Sequence, residues 1–182
     1  MRVFIVHGYS ASRHDHWFGW LAGELDRRGH GSVIIDLPNP ESPHRDAWEG
    51  AVAAAVGRVD QDMALVAHSL GGITALRYLA GLVGPWRLGG LVMVAGFQGK
   101  LRALPELDGY LAEPVDVRGL NPRIGSAAMI HSDNDPLVPP RQSRALAAAL
   151  GASTLEVAGR GHFLASDGCT ELPEVLALTL GL

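Results

Sequence analysis

The segment Ala67-His68-Ser69-Leu70-Gly71-Gly72 constrains the fold of this chain more than any other part of the sequence. The apolar run Met63–Ala67 leads into it and a helix-like run, Ile73–Ala80, leads out of it, which predicts a strand, a sharp turn and a helix. A serine at the apex of such a turn has a strained backbone that lifts its Oγ clear of the sheet, and the residues two before and two after it must be small. They are an alanine and a glycine here. The segment alone is equally compatible with an ordinary serine in a strand–helix loop, since short motifs also match by chance.

Five further short, largely apolar runs predict strands, at Val3–Val6, Ser32–Ile35, Leu91–Val94, Ala127–His131 and Thr154–Val157. Apolar residues at helical spacing predict helices over residues 17–25, 48–59, 73–80, 141–150 and 172–180. Continuously apolar strands are typical of a parallel sheet covered on both faces, whereas the last strand alternates as a half-exposed edge does. The sequence therefore predicts an α/β protein, with one domain over residues 1–182. Its expected architecture is a three-layer α/β/α sandwich around a mostly parallel six-stranded sheet.

The interval over residues 95–126 has weak periodicity and contains prolines at positions 105, 114 and 122. Loops longer than ~12–15 residues are usually functional or disordered. We expect this segment to form a flap that faces the substrate, with a short helix near Leu107–Leu111. It is too short to form a separate lid domain.

Composition excludes several classes of protein. Hydrophobic residues make up 47% of the 182 residues and charged residues 19%, which is typical of a globular chain. A net charge of −4 without a basic cluster argues against nucleic-acid binding. The single cysteine, Cys169, allows no internal disulfide and no cysteine-based zinc site, and His14-Asp15-His16 lacks a third metal ligand at a sensible spacing. With no signal peptide and no apolar stretch near the ~20 residues of a membrane span, we expect a cytoplasmic protein without membrane partners.

Polar side chains with complementary chemistry follow three of the predicted strands. Ser69 follows the third strand, Asp133 and Asp135 follow the fifth, and His162 lies in the glycine-containing loop after the sixth. The carboxyl ends of parallel strands meet at one edge of the sheet, so these groups are expected to meet there. Their chain order, serine, aspartate, histidine, is that of α/β-hydrolases.

These residue types suit nucleophilic catalysis. A serine hydroxyl attacks only when a base takes its proton, and a histidine with an ordinary pKa near ~6.5 can act as that base. Ser69 is therefore the candidate nucleophile and His162 the candidate base. Asp135 is the preferred acid because the turn at Asp135-Pro136 would hold its carboxylate, and Asp133 is the alternative.

An oxyanion hole needs two backbone N–H groups. The residue after the nucleophile, Leu70, would supply one, and Tyr9, in the loop after the first strand, would supply the other. Apolar side chains that could form a substrate-binding acyl pocket are those of Phe97, Leu101, Leu104, Leu137 and Phe163, which are equally compatible with ordinary core packing.

The chain resembles the α/β-hydrolase superfamily in His7-Gly8, in the segment around Ser69, in Asp135-Pro-Leu-Val-Pro and in Gly161-His162-Phe163. Within it, the short length, His16-Trp17-Phe18-Gly19-Trp20-Leu21 and Leu37-Pro38-Asn39-Pro40 are similar to small serine hydrolases related to retinoblastoma-binding protein 9. The resemblance covers nearly the whole chain. It implies Ser69 as nucleophile, Asp135 as acid and His162 as base, on a six-stranded parallel sheet that lacks the two first strands of larger hydrolases.

The resemblance also limits the function. A Leu-x-Cys-x-Glu motif is missing at Cys169-Thr170-Glu171, so a retinoblastoma-type pocket-protein partner is not implied. We expect hydrolysis of a small-molecule acyl substrate, an ester or else an amide or peptide, through an acyl-enzyme on Ser69, without metal or organic cofactor. The alternatives are an acyltransferase or cofactor-free peroxidase that uses the same residues, and a catalytically silent binding protein of the same fold.

Overall fold

The computed structural model describes all residues, 1–182, and contains six strands and five α-helices. The strands are β1 (Arg2–Val6), β2 (Gly31–Ile35), β3 (Met63–His68), β4 (Leu88–Val94), β5 (Ile124–His131) and β6 (Ser153–Glu156). The helices are α1 (Phe18–Arg27), α2 (Arg45–Val56), α3 (Leu70–Gly81), α4 (Pro140–Leu150) and α5 (Pro173–Leu180). Short 3₁₀ turns occur at Pro105–Leu107, Asn121–Arg123 and Ala165–Asp167.

The six strands form one sheet in the order β2-β1-β3-β4-β5-β6, and every neighbouring pair is parallel. The predicted α/β class and six-stranded sheet are therefore confirmed. After β1 the chain moves outward to β2 and then returns to place β3 on the other side of β1. The loops after β1 and β3 consequently leave in opposite directions and open a crevice at their carboxyl ends, where α/β proteins usually bind ligands.

Two apolar clusters pack on opposite faces of the sheet. The cluster with 34 buried residues lies under α2, α3 and α4, and the cluster with 18 lies under α1 and α5. Alternation along β1 divides its side chains between them, since Phe4 and Val6 belong to the first cluster and Val3 and Ile5 to the second. This burial on both faces explains why the central strands are continuously apolar.

Among the elements that differ from the sequence prediction, α2 differs in extent and β6 in exposure. Helix α2 ends at Val56 because Gly57 adopts a φ of 65°, so Val59 lies beyond the helix, although it is buried in the core. All four residues of β6 are exposed, whereas alternating burial was expected. The difference arises because β6 is an edge strand with few elements packed on it.

The flap predicted over residues 95–126 ends at residue 123, because β5 begins at Ile124, and it packs on the sheet and on α3 rather than projecting from the molecule. Its only helical turn before Asn121 is Pro105–Leu107, just ahead of the predicted one. The buried guanidinium of Arg77, on α3, donates to the carbonyl oxygens of Tyr110 and Glu113 at 2.9 and 2.7 Å. These contacts fix the flap to the helix that follows Ser69. None of the helices combines the length with the apolar character that a membrane span requires.

Candidate active site

Ser69 lies at the apex of the turn between β3 and α3 with a φ of 53° and a ψ of −124°. A positive φ at a residue other than glycine is uncommon, and here the surrounding contacts hold it. The Ser69 N–H donates to the carbonyl of Val94 at 2.9 Å, which ties the turn to the end of β4. Two residues on, Gly71 lies so close to β1 that a Cβ there would be 2.3 Å from the carbonyl oxygen of His7. The glycine thus lets α3 begin directly against the end of β1.

The structure brings Ser69, His162 and Asp135 into one line of hydrogen bonds. Nε2 of His162 lies 2.9 Å from Oγ of Ser69, and its Nδ1 lies 2.7 Å from Oδ2 of Asp135. The side chains of His162 and Asp135 are only 4% and 2% exposed. Because the carboxylate accepts from Nδ1–H, the neutral ring presents the lone pair of Nε2 to the serine hydroxyl.

The two candidate acids have separate positions. The second oxygen of Asp135, Oδ1, accepts the N–H groups of Leu137 and Val138 at 2.8 and 2.9 Å, so the turn after β5 fixes the carboxylate. Asp133 is exposed and accepts the N–H of Gly159 at 2.7 Å. Asp133 therefore supports the loop before the histidine, while Asp135 contacts the histidine itself.

Two further side chains that the sequence did not single out hold the loop of His162. Oδ2 of Asp167 accepts the N–H groups of His162 and Leu164 at 2.9 and 3.1 Å. Oδ1 of Asn134 accepts the N–H of Gly161 at 2.8 Å. Nothing in their spacing distinguishes them from other loop residues, because each acts on backbone groups that only the folded loop brings near.

His68, directly before the serine, is the second histidine at this site. Its Nε2–H donates to the carbonyl oxygen of His162 at 2.9 Å, and the two rings lie 4.9 Å apart. Complete burial holds the pKa of His68 well below its ordinary value, with the nearby His162 as the next cause. His68 therefore stays neutral and links the turn between β3 and α3 to the loop of the candidate base.

A cavity of about 300 Å³ opens at Ser69 and His162. Its other lining residues are Tyr9, Ser10, His16, His68, Leu104, Leu137 and Leu164. Of the predicted pocket residues, Leu104 and Leu137 lie in this wall. Phe97, Leu101 and Phe163 do not: they are 0%, 2% and 0% exposed and belong to the two apolar clusters. Their side chains are required for core packing, which corrects their assignment to the substrate pocket.

The two predicted oxyanion donors flank the nucleophile. Leu70 is the first residue of α3, and an N–H in the first turn of a helix has no partner within the helix. Neither its N–H nor that of Tyr9 is taken up by another part of the chain. Gly8 brings the Tyr9 loop inward, since a Cβ on Gly8 would be 3.0 Å from Cβ of Ser69. Both N–H groups thus lack a partner within the chain, and Tyr9 lines the cavity at Ser69.

Comparison with known proteins identifies the family of the chain. Residues 3–180 match the family model described as serine hydrolase, and the chain belongs to that family. It is 36% identical over 174 residues to the YdeN protein of Bacillus subtilis (strain 168), covering 96% of this chain and 92% of YdeN. The crystal structure of the ydeN gene product superposes with a TM-score of 0.95 at 35% identity, over 99% and 97% of the two chains.

The fold is also shared with more distant enzymes. A carboxylesterase of Nitrososphaera gargenis matches with a TM-score of 0.72 at 13% identity, over 99% of this chain and 88% of the other. At that identity the likeness shows the fold alone. The family match and this shared fold together show that the molecule belongs to the serine hydrolase family and has an α/β-hydrolase fold.

Proposed function

We propose that the protein hydrolyses small carboxylic esters, with Ser69 as nucleophile, His162 as general base and acid, and Asp135 as the acid that orients His162. The observation that carries the proposal is the continuous hydrogen-bonded line from Asp135 through His162 to Ser69, which ends in an accessible cavity. The resemblance to small serine hydrolases related to retinoblastoma-binding protein 9 agrees with it.

In the first half of the reaction, Oγ of Ser69 attacks the ester carbonyl while its proton passes to Nε2 of His162. The negative charge that develops on the carbonyl oxygen accepts hydrogen bonds from the N–H groups of Tyr9 and Leu70. The carboxylate of Asp135 stabilises the imidazolium that forms. The tetrahedral adduct then collapses, its bond to the alcohol oxygen breaks, and this oxygen leaves with the proton from His162.

The second half repeats these steps with water. His162 removes a proton from a water molecule, whose oxygen attacks the acyl carbon on Ser69. Collapse of this adduct returns the proton from His162 to Oγ of Ser69 and releases the carboxylic acid. The residues that perform both halves are all supplied by the chain itself.

The cavity supports a small substrate. Its volume of about 300 Å³ is at the lower end of the ~300–1,000 Å³ that is usual for ligand sites. Leu104, Leu137 and Leu164 make part of its wall apolar, which suits the hydrocarbon parts of a short ester. The flap packs firmly on α3 beside this wall, so a long acyl chain would require it to move.

Labelling with a fluorophosphonate probe, followed by mass spectrometry, tests the nucleophile. We expect one adduct, on Ser69, and turnover of short-chain p-nitrophenyl esters. The same panel, extended to aminoacyl amides, compares ester with amide substrates. Ser69→Ala should lower kcat by at least about 10⁴-fold and keep the fold, whereas Ser153→Ala, on the exposed edge strand, serves as the matched control. An unlabelled Ser69 in folded protein would contradict the proposal.

A further inference from the structure

His16 has no role in the mechanism above, yet it lines the same cavity as Ser69 and His162. It lies in the loop between β1 and α1 with a φ of 55°, a conformation that residues other than glycine seldom adopt. The turn before it is held by Asp15, whose Oδ2 accepts the N–H and the hydroxyl of Ser12 at 2.7 and 2.8 Å. The chain therefore holds this histidine at the cavity in a strained backbone conformation, a feature often found at functional sites.

The tautomer of His16 follows from its one hydrogen bond. The backbone N–H of Ala165 donates to Nδ1 at 3.0 Å, and a ring nitrogen that accepts carries no proton. Burial lowers the pKa of His16, which favours the neutral ring with its proton on Nε2. Nε2 has no partner in the chain and is not among the polar atoms that are sealed from solvent. The ring thus offers one free N–H donor with a fixed tautomer.

The proposed reaction indicates which half of the ester lies against His16. His162 gives its proton to the departing alcohol oxygen, so the alcohol half of the ester must lie against His162. His16 accepts a hydrogen bond from the N–H of Ala165, three residues after His162. Its ring also lies 5.7 Å from the ring of His68, which donates to the carbonyl oxygen of His162. His16 is therefore on the side of the alcohol, whereas the acyl oxygen points to Tyr9 and Leu70.

We propose that Nε2–H of His16 binds the alcohol half of the substrate, and that the preferred substrates are esters whose alcohol carries a second oxygen close to the ester bond. This inference rests on the proposed ester hydrolysis, which it narrows to a class of substrate. Leu137 and Leu164 line the same cavity and supply apolar surface for the carbon atoms of such an alcohol.

The test compares two esters of equal size. In 2-methoxyethyl butanoate an ether oxygen replaces one methylene of butyl butanoate, so the pair differs only in a hydrogen-bond acceptor. After correction for their rates of alkaline hydrolysis, we expect kcat/KM of wild type to favour the methoxyethyl ester by roughly two- to tenfold, the range that one net hydrogen bond supplies.

His16→Asn is the matched variant. Asparagine tolerates a positive φ and can place its amide oxygen where Nδ1 accepted the Ala165 N–H, but it has no donor at the position of Nε2. In this variant the ratio of kcat/KM for the methoxyethyl ester to kcat/KM for the butyl ester should fall close to one. His14→Asn, an exposed position two residues earlier, makes the same replacement outside the cavity and should keep the wild-type ratio.

A second ester pair tests the assignment to the alcohol side. Butyl 3-methoxypropanoate and butyl pentanoate carry the same change in the acyl half, and their ratio should not respond to His16→Asn. A response of this pair instead of the first would overturn the assignment. The inference would be overturned, while the proposed function stands, if all four esters are hydrolysed but wild type does not prefer the methoxyethyl ester. The same holds if His16→Asn leaves the kcat/KM ratio of the first pair unaltered. No hydrolysis together with an unlabelled Ser69 would overturn both.

Discussion

At the scale of single residues, two carboxylates only two positions apart have different partners. Asp135 is buried and accepts hydrogen bonds from two backbone N–H groups as well as from His162. Asp133 is exposed and accepts one N–H, that of Gly159. Our proposal gives only Asp135 a role in setting the tautomer of the base, so the two positions can be separated by the same conservative substitution.

We expect Asp135→Asn to lower kcat by about 10⁴-fold, because an amide at Oδ2 can donate to Nδ1 and force the proton onto Nε2, where it blocks proton transfer from Ser69. Asp133→Asn keeps an oxygen that accepts the Gly159 N–H and should leave kcat within about threefold of wild type. Steady-state kinetics on one p-nitrophenyl ester measures both. A large loss in Asp133→Asn with an active Asp135→Asn would reverse the assignment of the acid.

Sequence reasoning singled out the three side chains that the structure brings together, but not the residues that support them. Ser69, His162 and the aspartate pair could be found because each follows a predicted strand, and the ends of parallel strands converge. Asp167 and His68 could not, since they bind backbone groups of His162 that are remote until the chain folds. The pocket residues were also hard to predict, because a loop has no periodicity that tells a buried phenylalanine from a leucine at the cavity wall.

At the scale of elements, the site depends on how closely α3 packs on the end of β1. A Cβ on Gly71 would meet the carbonyl oxygens of His7 and Val6 at 2.3 and 2.6 Å, and both are backbone atoms that cannot rotate away. The next residue, Gly72, has no such restriction, since its Cβ would meet Sδ of Met93 at an ordinary 3.6 Å. Substituting each of these two glycines in turn therefore tests whether the turn between β3 and α3 needs close contact with β1.

Gly71→Ala should lower the free energy of unfolding by roughly 3 kcal/mol or more, because α3 must move away from β1 to relieve the overlap. Gly72→Ala adds the same methyl group without a clash and should change the free energy of unfolding by under about 1 kcal/mol. Urea unfolding followed by tryptophan fluorescence measures both values. Equal effects of the two substitutions would mean that the helix does not depend on close contact at Gly71.

Element prediction succeeded wherever burial imposes a pattern. The predictions of β1 and β3 each miss one terminal residue, Arg2 and His68, because only the apolar residues of these strands signal burial. Strand β4 was predicted from Leu91 but begins at Leu88, because Gly89 and Gly90 carry no side chain to signal burial. In the flap, side chains pack irregularly against α3, and Arg77 holds it through hydrogen bonds to two carbonyl oxygens. Such contacts produce no periodic pattern in the sequence, so the structure of the flap could not be predicted.

At the scale of the whole molecule, the site lies at the crevice between β1 and β3, where the neutral ring of His68 joins two loops in the protein interior. His7 is buried nearby, with Nε2 accepting the N–H of Leu37 at 3.1 Å and Nδ1–H donating to the carbonyl of Gly8 at 2.9 Å. Burial lowers the pKa of His7 as well. The folded state therefore holds two interior histidines without charge, and protons that the unfolded chain would bind are excluded from it.

This arrangement predicts that stability falls in mild acid. A histidine whose folded pKa is lowered is neutral in both states above its ordinary pKa of 6.5 and gives no pH dependence there. As the pH falls below 6.5, the histidine binds a proton in the unfolded chain but not in the folded protein. The free energy of unfolding therefore declines until the pH reaches the pKa of that histidine in the folded protein. Each such histidine adds a slope of up to about 1.4 kcal/mol per pH unit.

His68→Gln separates the contribution of His68 to the pH dependence of stability from the contributions of all other titrating groups. Glutamine does not titrate and can still donate an amide N–H to the carbonyl of His162. Urea unfolding at several values between pH 7 and pH 5 should give a shallower slope for His68→Gln than for wild type, by about 1 kcal/mol per pH unit. His14→Gln, at an exposed position, should follow the wild-type curve. Parallel curves for wild type and His68→Gln would mean that His68 binds its proton as readily in the folded protein as in the unfolded chain.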